Sequence, residues 1–299
     1  MGTRSFPAQN LNEITGKIRC VMPQFKLSAF ADEISPEPKI QLDVLEKSGV
    51  RFVELRSIHE TNVLALTDAQ VFSFRESLRS RGMGLSAIGS PIGKIPLDHP
   101  FEPHLEKFKR AIQLCDIFEV DAVRIFSFYP PESGVDDWVV NRGEVIRRME
   151  ALVELSEKSG IRLYHENEHR IYGDSPERVA DLLAQFPGKT LAAAYDAANF
   201  VFCGYCPWQG WLSCRDRVAH LHIKDWKTGE PHGTLAGQGH GRWMEVLGDS
   251  VANGYSGFAT LEPHLLGGGP TGGVTGPELF PKAVECARKL ILDAGGLVA

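Results

Sequence analysis

Residues 165–169 read His-Glu-Asn-Glu-His. On one helix, H-E-x-x-H sets two histidines on one face to bind zinc, with the glutamate activating water. The flanks argue against that here. Residues 142–160 carry Val145, Met149 and Leu152 at helical spacing and close on Gly160. The next stretch, IRLYHEN, is short and apolar, and Gly173 and Pro176 soon follow. This context predicts a strand over 161–167. On a strand, His165 and Glu166 face opposite sides and His169 lies beyond the end. Glu166 remains, as a carboxylate at a strand terminus.

Three further groups occupy similar places. Asp196 ends the apolar run in YDAAN, His222 lies late in HLHIKD, and Glu262 ends the strand-like run in LEPH. Three carboxylates and one imidazole form a mostly oxygen donor set. Such a set suits Mn²⁺, Mg²⁺ or Co²⁺ and also accommodates Zn²⁺. His220 and His222 share a strand face, so either could ligate on pattern alone. His222 is nearer the carboxyl end and is the better placed, while His220 reads as buried and hydrogen-bonded.

These groups need a scaffold that delivers strand ends to one rim. Strand-like segments 25–35, 51–57, 84–90, 121–128, 161–167, 191–199, 217–225 and 257–264 alternate with helical patterns. Alternation of this kind implies a parallel sheet with right-handed crossovers. Eight units without a composition break predict an α/β fold, a single-domain (β/α)8 TIM barrel over 25–299. Residues 1–24 read as an N-terminal tail or strap. A doubly wound open sheet is the alternative, but no G-x-G-x-x-G follows the first strand. Chemistry in a barrel sits where strands end, and polar residues gather there, including Asp32, Glu33, Glu54 and Arg56.

Composition narrows the function classes. The net charge of −6 disfavours a general nucleic-acid binder. No apolar run is long enough to span a bilayer, and the start lacks a signal-peptide core. The expected location is therefore cytoplasmic, where the six cysteines read as free thiols. Cys203, Cys206 and Cys214 lack a fourth partner for a structural zinc site.

The spread of Glu166-Asn167, Asp196-x-x-Asn199, His222-Ile-Lys224-Asp225 and Leu261-Glu262-Pro263-His264 resembles the sugar phosphate isomerase/epimerase superfamily, the xylose-isomerase-like TIM barrels. The resemblance covers roughly residues 25–295. It implies one divalent metal held by Glu166, Asp196, His222 and Glu262. It also implies a sugar or keto-polyol substrate and proton abstraction beside a polarised carbonyl, through an enediolate. Glu166 and Glu262 would form the acid/base pair, and a homo-oligomer is the family expectation. A lyase on the same site, such as an inosose- or dehydroshikimate-type dehydratase or a C-glycoside-cleaving enzyme, is the nearest alternative. Abasic-site endonucleases of this superfamily carry a histidine where this chain has Asn199. A non-catalytic barrel would not be expected to keep the ligand set intact.

Candidates for substrate contact are Arg56, Asn199, Lys224, His264 and His169. Lys224 and Asp225 could instead pair with each other, and Glu168 could orient Glu166. Two Gly-rich loops, 236–243 and 265–276, read as lids or, less readily, as a phosphate nest. Trp208, Trp211, Trp226 and Trp243 read equally as a sugar-stacking group or a subunit interface.

Overall fold

A computed structural model describes residues 23–269 and 272–299. The tail expected over 1–24 lies outside these residues, apart from Pro23 and Gln24. Gln24 already opens the first strand. Eight strands follow the chain: β1 (Gln24–Ala29), β2 (Phe52–Leu55), β3 (Gly84–Gly89), β4 (Ala122–Ile125), β5 (Arg162–Glu166), β6 (Leu191–Asp196), β7 (Val218–Ile223) and β8 (Gly257–Leu261). Neighbours in sequence are parallel neighbours in the sheet. β1 also pairs with β8, Phe25 beside Gly257 and Ala29 beside Leu261, so the sheet closes into the expected (β/α)8 barrel.

The outer ring comprises α1 (Pro38–Lys47), α2 (Asp68–Ser80), α3 (Glu102–Phe118), α4 (Trp138–Ser159), α5 (Pro176–Gln185), α6 (Ala197–Phe202), α7 (Pro207–Cys214), α8 (Trp243–Ala252) and α9 (Phe280–Asp293). Their limits follow local chemistry. Thr67 and Gln70 form a reciprocal capping box at the start of α2. Ser175 caps α5, with Pro176 in its first turn, and Gly160 ends α4 in the left-handed region.

Strand alternation sorts the side chains. Val53, Leu55, Leu221, Ile223, Ala193 and Tyr195 pack outward against the helices in the main core. Ala87, Ala122, Tyr164, Ala192 and Ala194 form a separate small cluster. These residues, alanines with Tyr164, line the inward face of β3, β4, β5 and β6, the barrel lumen. Glu54, Arg124, Glu166, Asp196, His220, His222 and Thr260 have the same parity and point inward too. His165 takes the other face and meets Ser127, 2.9 Å from its hydroxyl.

Two departures from the sequence reading matter for the site. The first strand stops at Ala29, because Ala31–Glu33 turns as a 3-10 helix. The sixth stops at Asp196, whose Oδ1 accepts the Asn199 N–H at 2.9 Å and caps α6. Asn199 therefore stands on a helix, not on the strand predicted over 191–199. The Trp- and Cys-rich connection contains α6 and α7. Trp211 and Trp243 are core residues, both edge-on to Tyr195, so those two are not free to stack on a sugar. Among the described residues, no helix is long and apolar enough to cross a membrane.

Candidate metal centre

Glu166 and Asp196 are the last residues of β5 and β6. His222 is next to last in β7, and Glu262 directly follows β8. All four are buried, and one ligand atom from each lies within 4.8 Å of all the others. Closure of the sheet creates this proximity between residues up to 96 positions apart in sequence.

Each member has fixed neighbours. Glu166 receives Arg124 Nη1 at 2.5 Å and Asn199 Nδ2 at 3.2 Å, and faces His222 Nδ1 at 3.2 Å. Glu262 receives Arg56 Nη1 at 2.7 Å and Lys224 Nζ at 3.2 Å, with His264 Nε2 at 3.4 Å. Asp196 Oδ2 lies 2.8 Å from Lys224 Nζ, outside hydrogen-bonding geometry. Arg56 also grips Asp32 at 2.8 Å. The Arg56 and Arg124 guanidiniums lie 4.4 and 5.3 Å from the Phe30 ring centre, which floors the site.

Burial raises the Asp196 pKa, and the Glu166 and Glu262 charges add to the rise against Lys224. Burial also opposes ionisation of Glu166, but His222 and Arg124 outweigh it and hold the group below the usual range. For Glu262, burial is outweighed by Lys224, His264 and Arg56, so it too is held low. The opposing carboxylates raise His222 despite its burial.

The chain was also expected to use Arg56, Asn199, Lys224, His264 and His169 near substrate. Arg56, Lys224 and His264 converge on Glu262. Asn199 holds Glu166 and the Asn167 carbonyl, a positioning contact. His169 is exposed and edge-on to Phe202 at 5.1 Å, whereas the four are buried. Glu168 pairs with Lys94 at 2.9 Å. Lys224 and Asp225 do not pair: Asp225 accepts the backbone N–H groups of Trp226, Gly237, Gly239 and Gly241 at 2.8–2.9 Å. The nest in the first Gly-rich loop is thus filled by the chain's own carboxylate. The second Gly-rich loop includes a hairpin, with Gly267 paired to Val274.

One group, Arg124, escaped the sequence reading, and two, Glu33 and Glu54, were noted at the strand ends without a role. Arg124 is a lone cation in the apolar run DAVRIFSF, a signal that was available. Glu33 was assigned to a strand; in the structure its carboxylate takes the His264 N–H at 2.9 Å and the Thr275 hydroxyl at 2.6 Å. Glu54 was noted only as a polar strand-end residue, and it binds His220 and His222 across the lumen. An open cleft of about 460 Å³ at the amino ends of the strands, beside Ser86, Asp121 and Phe258, contains none of these groups.

Fold and site together define a closed parallel barrel with a buried carboxylate–imidazole cluster at the carboxyl ends of its strands. The profile described as xylose isomerase-like TIM barrel matches residues 42–290, and the chain belongs to that family. Solved structures agree on the fold. A D-tagatose 3-epimerase-like protein is 15% identical, with TM-score 0.71 over 91% of this chain and 98% of its own. The probable 3-DHS dehydratase AsbF of Bacillus anthracis is 17% identical, with TM-score 0.67 over 88% and 98%. A xylose isomerase-like barrel from Mycobacterium smegmatis in complex with magnesium is 17% identical, with TM-score 0.69 over 92% and 98%. No curated protein matches the chain.

Proposed function

We propose that the chain is a divalent-metal-dependent isomerase or epimerase of a sugar or related keto-polyol. The convergence of Glu166, Asp196, His222 and Glu262 within 4.8 Å carries this reading. The donor set fits a divalent ion: Asp196 Oδ2 and His222 Nδ1 are buried and lack a hydrogen-bond partner. Oxygen-rich composition favours Mn²⁺, Mg²⁺ or Co²⁺, with Zn²⁺ compatible. The magnesium complex named above supports the same class of ion.

When bound, the ion supplies Lewis acidity that makes the C–H beside a substrate carbonyl removable. The chain's own residues do the rest. Glu166 and Glu262 approach from β5 and the end of β8; one carboxylate takes the proton and, now a carboxylic acid, returns it to the adjacent carbon, while return on the opposite face uses the other carboxylate after it has taken a proton from solvent. Arg124 and Asn199 hold Glu166 in place. Arg56 and Lys224 offer N–H groups to substrate oxygens. Phe30 keeps water from beneath the two guanidiniums.

A lyase on the same site is the second reading. Its support is His264, whose buried Nε2 lies between Glu33 Oε1 at 3.2 Å and Glu262 Oε1 at 3.4 Å without hydrogen-bonding geometry to either, placed to protonate a leaving hydroxyl. One assay in deuterated water separates the readings, run with the metal-loaded protein and a panel of ketoses and keto-polyols. Deuterium entering recovered substrate or its epimer supports isomerisation, and loss of water supports the lyase. Glu166→Gln and Glu262→Gln should each abolish turnover with the fold intact. Wild-type turnover in either variant would sink both readings.

A further inference from the structure

We propose that Glu54 is a positioning residue that selects which nitrogen His222 offers to the metal. The inference rests on the metal reading above and goes beyond it. Glu54 lies on β2, three strands around the barrel from β7, and is fully buried. Its Oε2 is 3.1 Å from His222 Nε2 and 2.8 Å from His220 Nε2.

A carboxylate oxygen can only accept. Both imidazoles therefore present Nε2–H to it. A metal-ligating imidazole is neutral and carries one N–H; with that proton kept on Nε2 against Glu54, the nitrogen left for the ion is Nδ1. That nitrogen faces Glu166 at 3.2 Å, inside the four-residue cluster. Carboxylate–histidine–metal triads fix ring orientation and ligand basicity in the same way.

The clamp is itself held. His220 Nε2 is also 2.7 Å from the Thr260 hydroxyl on β8, so β2, β7 and β8 share one buried polar layer. Phe30 stands edge-on to the His222 ring at 5.1 Å, which resists a ring flip. His220, the histidine that competed with His222 in the sequence pattern, serves as the second donor that pins Glu54.

Glu54, His220 and His222 could alternatively bind an ion of their own, since their donor atoms are close enough. Titrating the chelator-stripped full chain with Zn²⁺ by calorimetry, for wild type, Glu54→Gln and Glu54→Asp, distinguishes the two. The zinc-loaded proteins, labelled with ¹⁵N-histidine, then report the His222 tautomer by NMR. Glu54→Asp keeps the buried charge and withdraws the oxygen, which covers a Glu54→Gln that fails to fold.

Wild type should bind one equivalent, with zinc on Nδ1 and a proton on Nε2 of His222. Glu54→Gln should bind about 10- to 100-fold more weakly, and Glu54→Asp by a smaller factor. Unchanged affinity in the folded variants, zinc on Nε2, or a second equivalent that disappears with Glu54 would overturn the proposal alone. A wild type that takes up no divalent ion overturns the metal reading, and this one with it.

Discussion

Arg124 on β4 reaches the neighbouring strand and holds Glu166 at 2.5 Å, with both side chains almost fully buried. The pair gives Glu166 a permanent counter-charge independent of any ion. Breaking a buried pair by removing one partner costs about 3–5 kcal/mol. Arg124→Met should therefore destabilise the metal-free protein by roughly 3 kcal/mol in urea unfolding. Added Mn²⁺ should recover part of the loss, because a bound cation again compensates Glu166. A variant as stable as wild type without metal would show that the pair has no such role.

Lys224 makes the opposite prediction for binding. Its ammonium sits 2.8 Å from Asp196 and 3.2 Å from Glu262, two of the four proposed ligands. A like charge there opposes a divalent cation. Lys224→Met should raise metal affinity by about tenfold and lower turnover, since a donor to substrate is lost. Calorimetry and activity together test it. A fall in both would mean that Lys224 organises the ligands and does not compete with the ion.

The Gly-rich hairpin after β8 covers His264 so closely that its composition is required. A Cβ at Gly273 would meet His264 Cδ2 at 1.8 Å. Gly273→Ala should cost about 1–3 kcal/mol, as overpacking does, and expose the hairpin to limited proteolysis. Gly248→Ala on α8 is the control: nothing lies within 4 Å of its added Cβ, so it should be neutral or stabilising. Equal proteolysis of the two variants would place the hairpin away from His264.

Much of this was legible in the sequence, because strand parity is a local property. HLHIKD puts His220 and His222 on one strand face whatever the rest of the chain does. The same parity turned HENEH from a helix motif into one carboxylate at a strand end. Contacts across the lumen were not legible, since Glu54 meets His222 only once the sheet closes. Residues at strand ends were also misplaced where a cap intervened. Asp196 starts α6, and that moves Asn199 off the strand and onto Glu166. The loop 236–243 read first as a lid and only second as a phosphate nest; Gly237, Gly239 and Gly241 do cradle an anion, the chain's own Asp225.

His104 on α3 supplies a pH test away from the cluster. The Gly93 N–H donates to His104 Nε2 at 2.7 Å, so that nitrogen must carry a lone pair in the folded protein. Burial, followed by the Lys107 and Arg148 charges, pushes its pKa down to about 4. The unfolded chain has an ordinary value of about 6.5. On acidification the unfolded state takes up the proton first. This contribution to stability is therefore complete above pH 6.5 and is lost as pH falls towards 4. The full loss is up to about 3 kcal/mol. His104→Gln keeps an acceptor for Gly93 and cannot titrate. Urea unfolding at pH 7 and pH 5 should show a smaller drop in the variant than in wild type, and equal drops would remove His104 as a source of acid sensitivity.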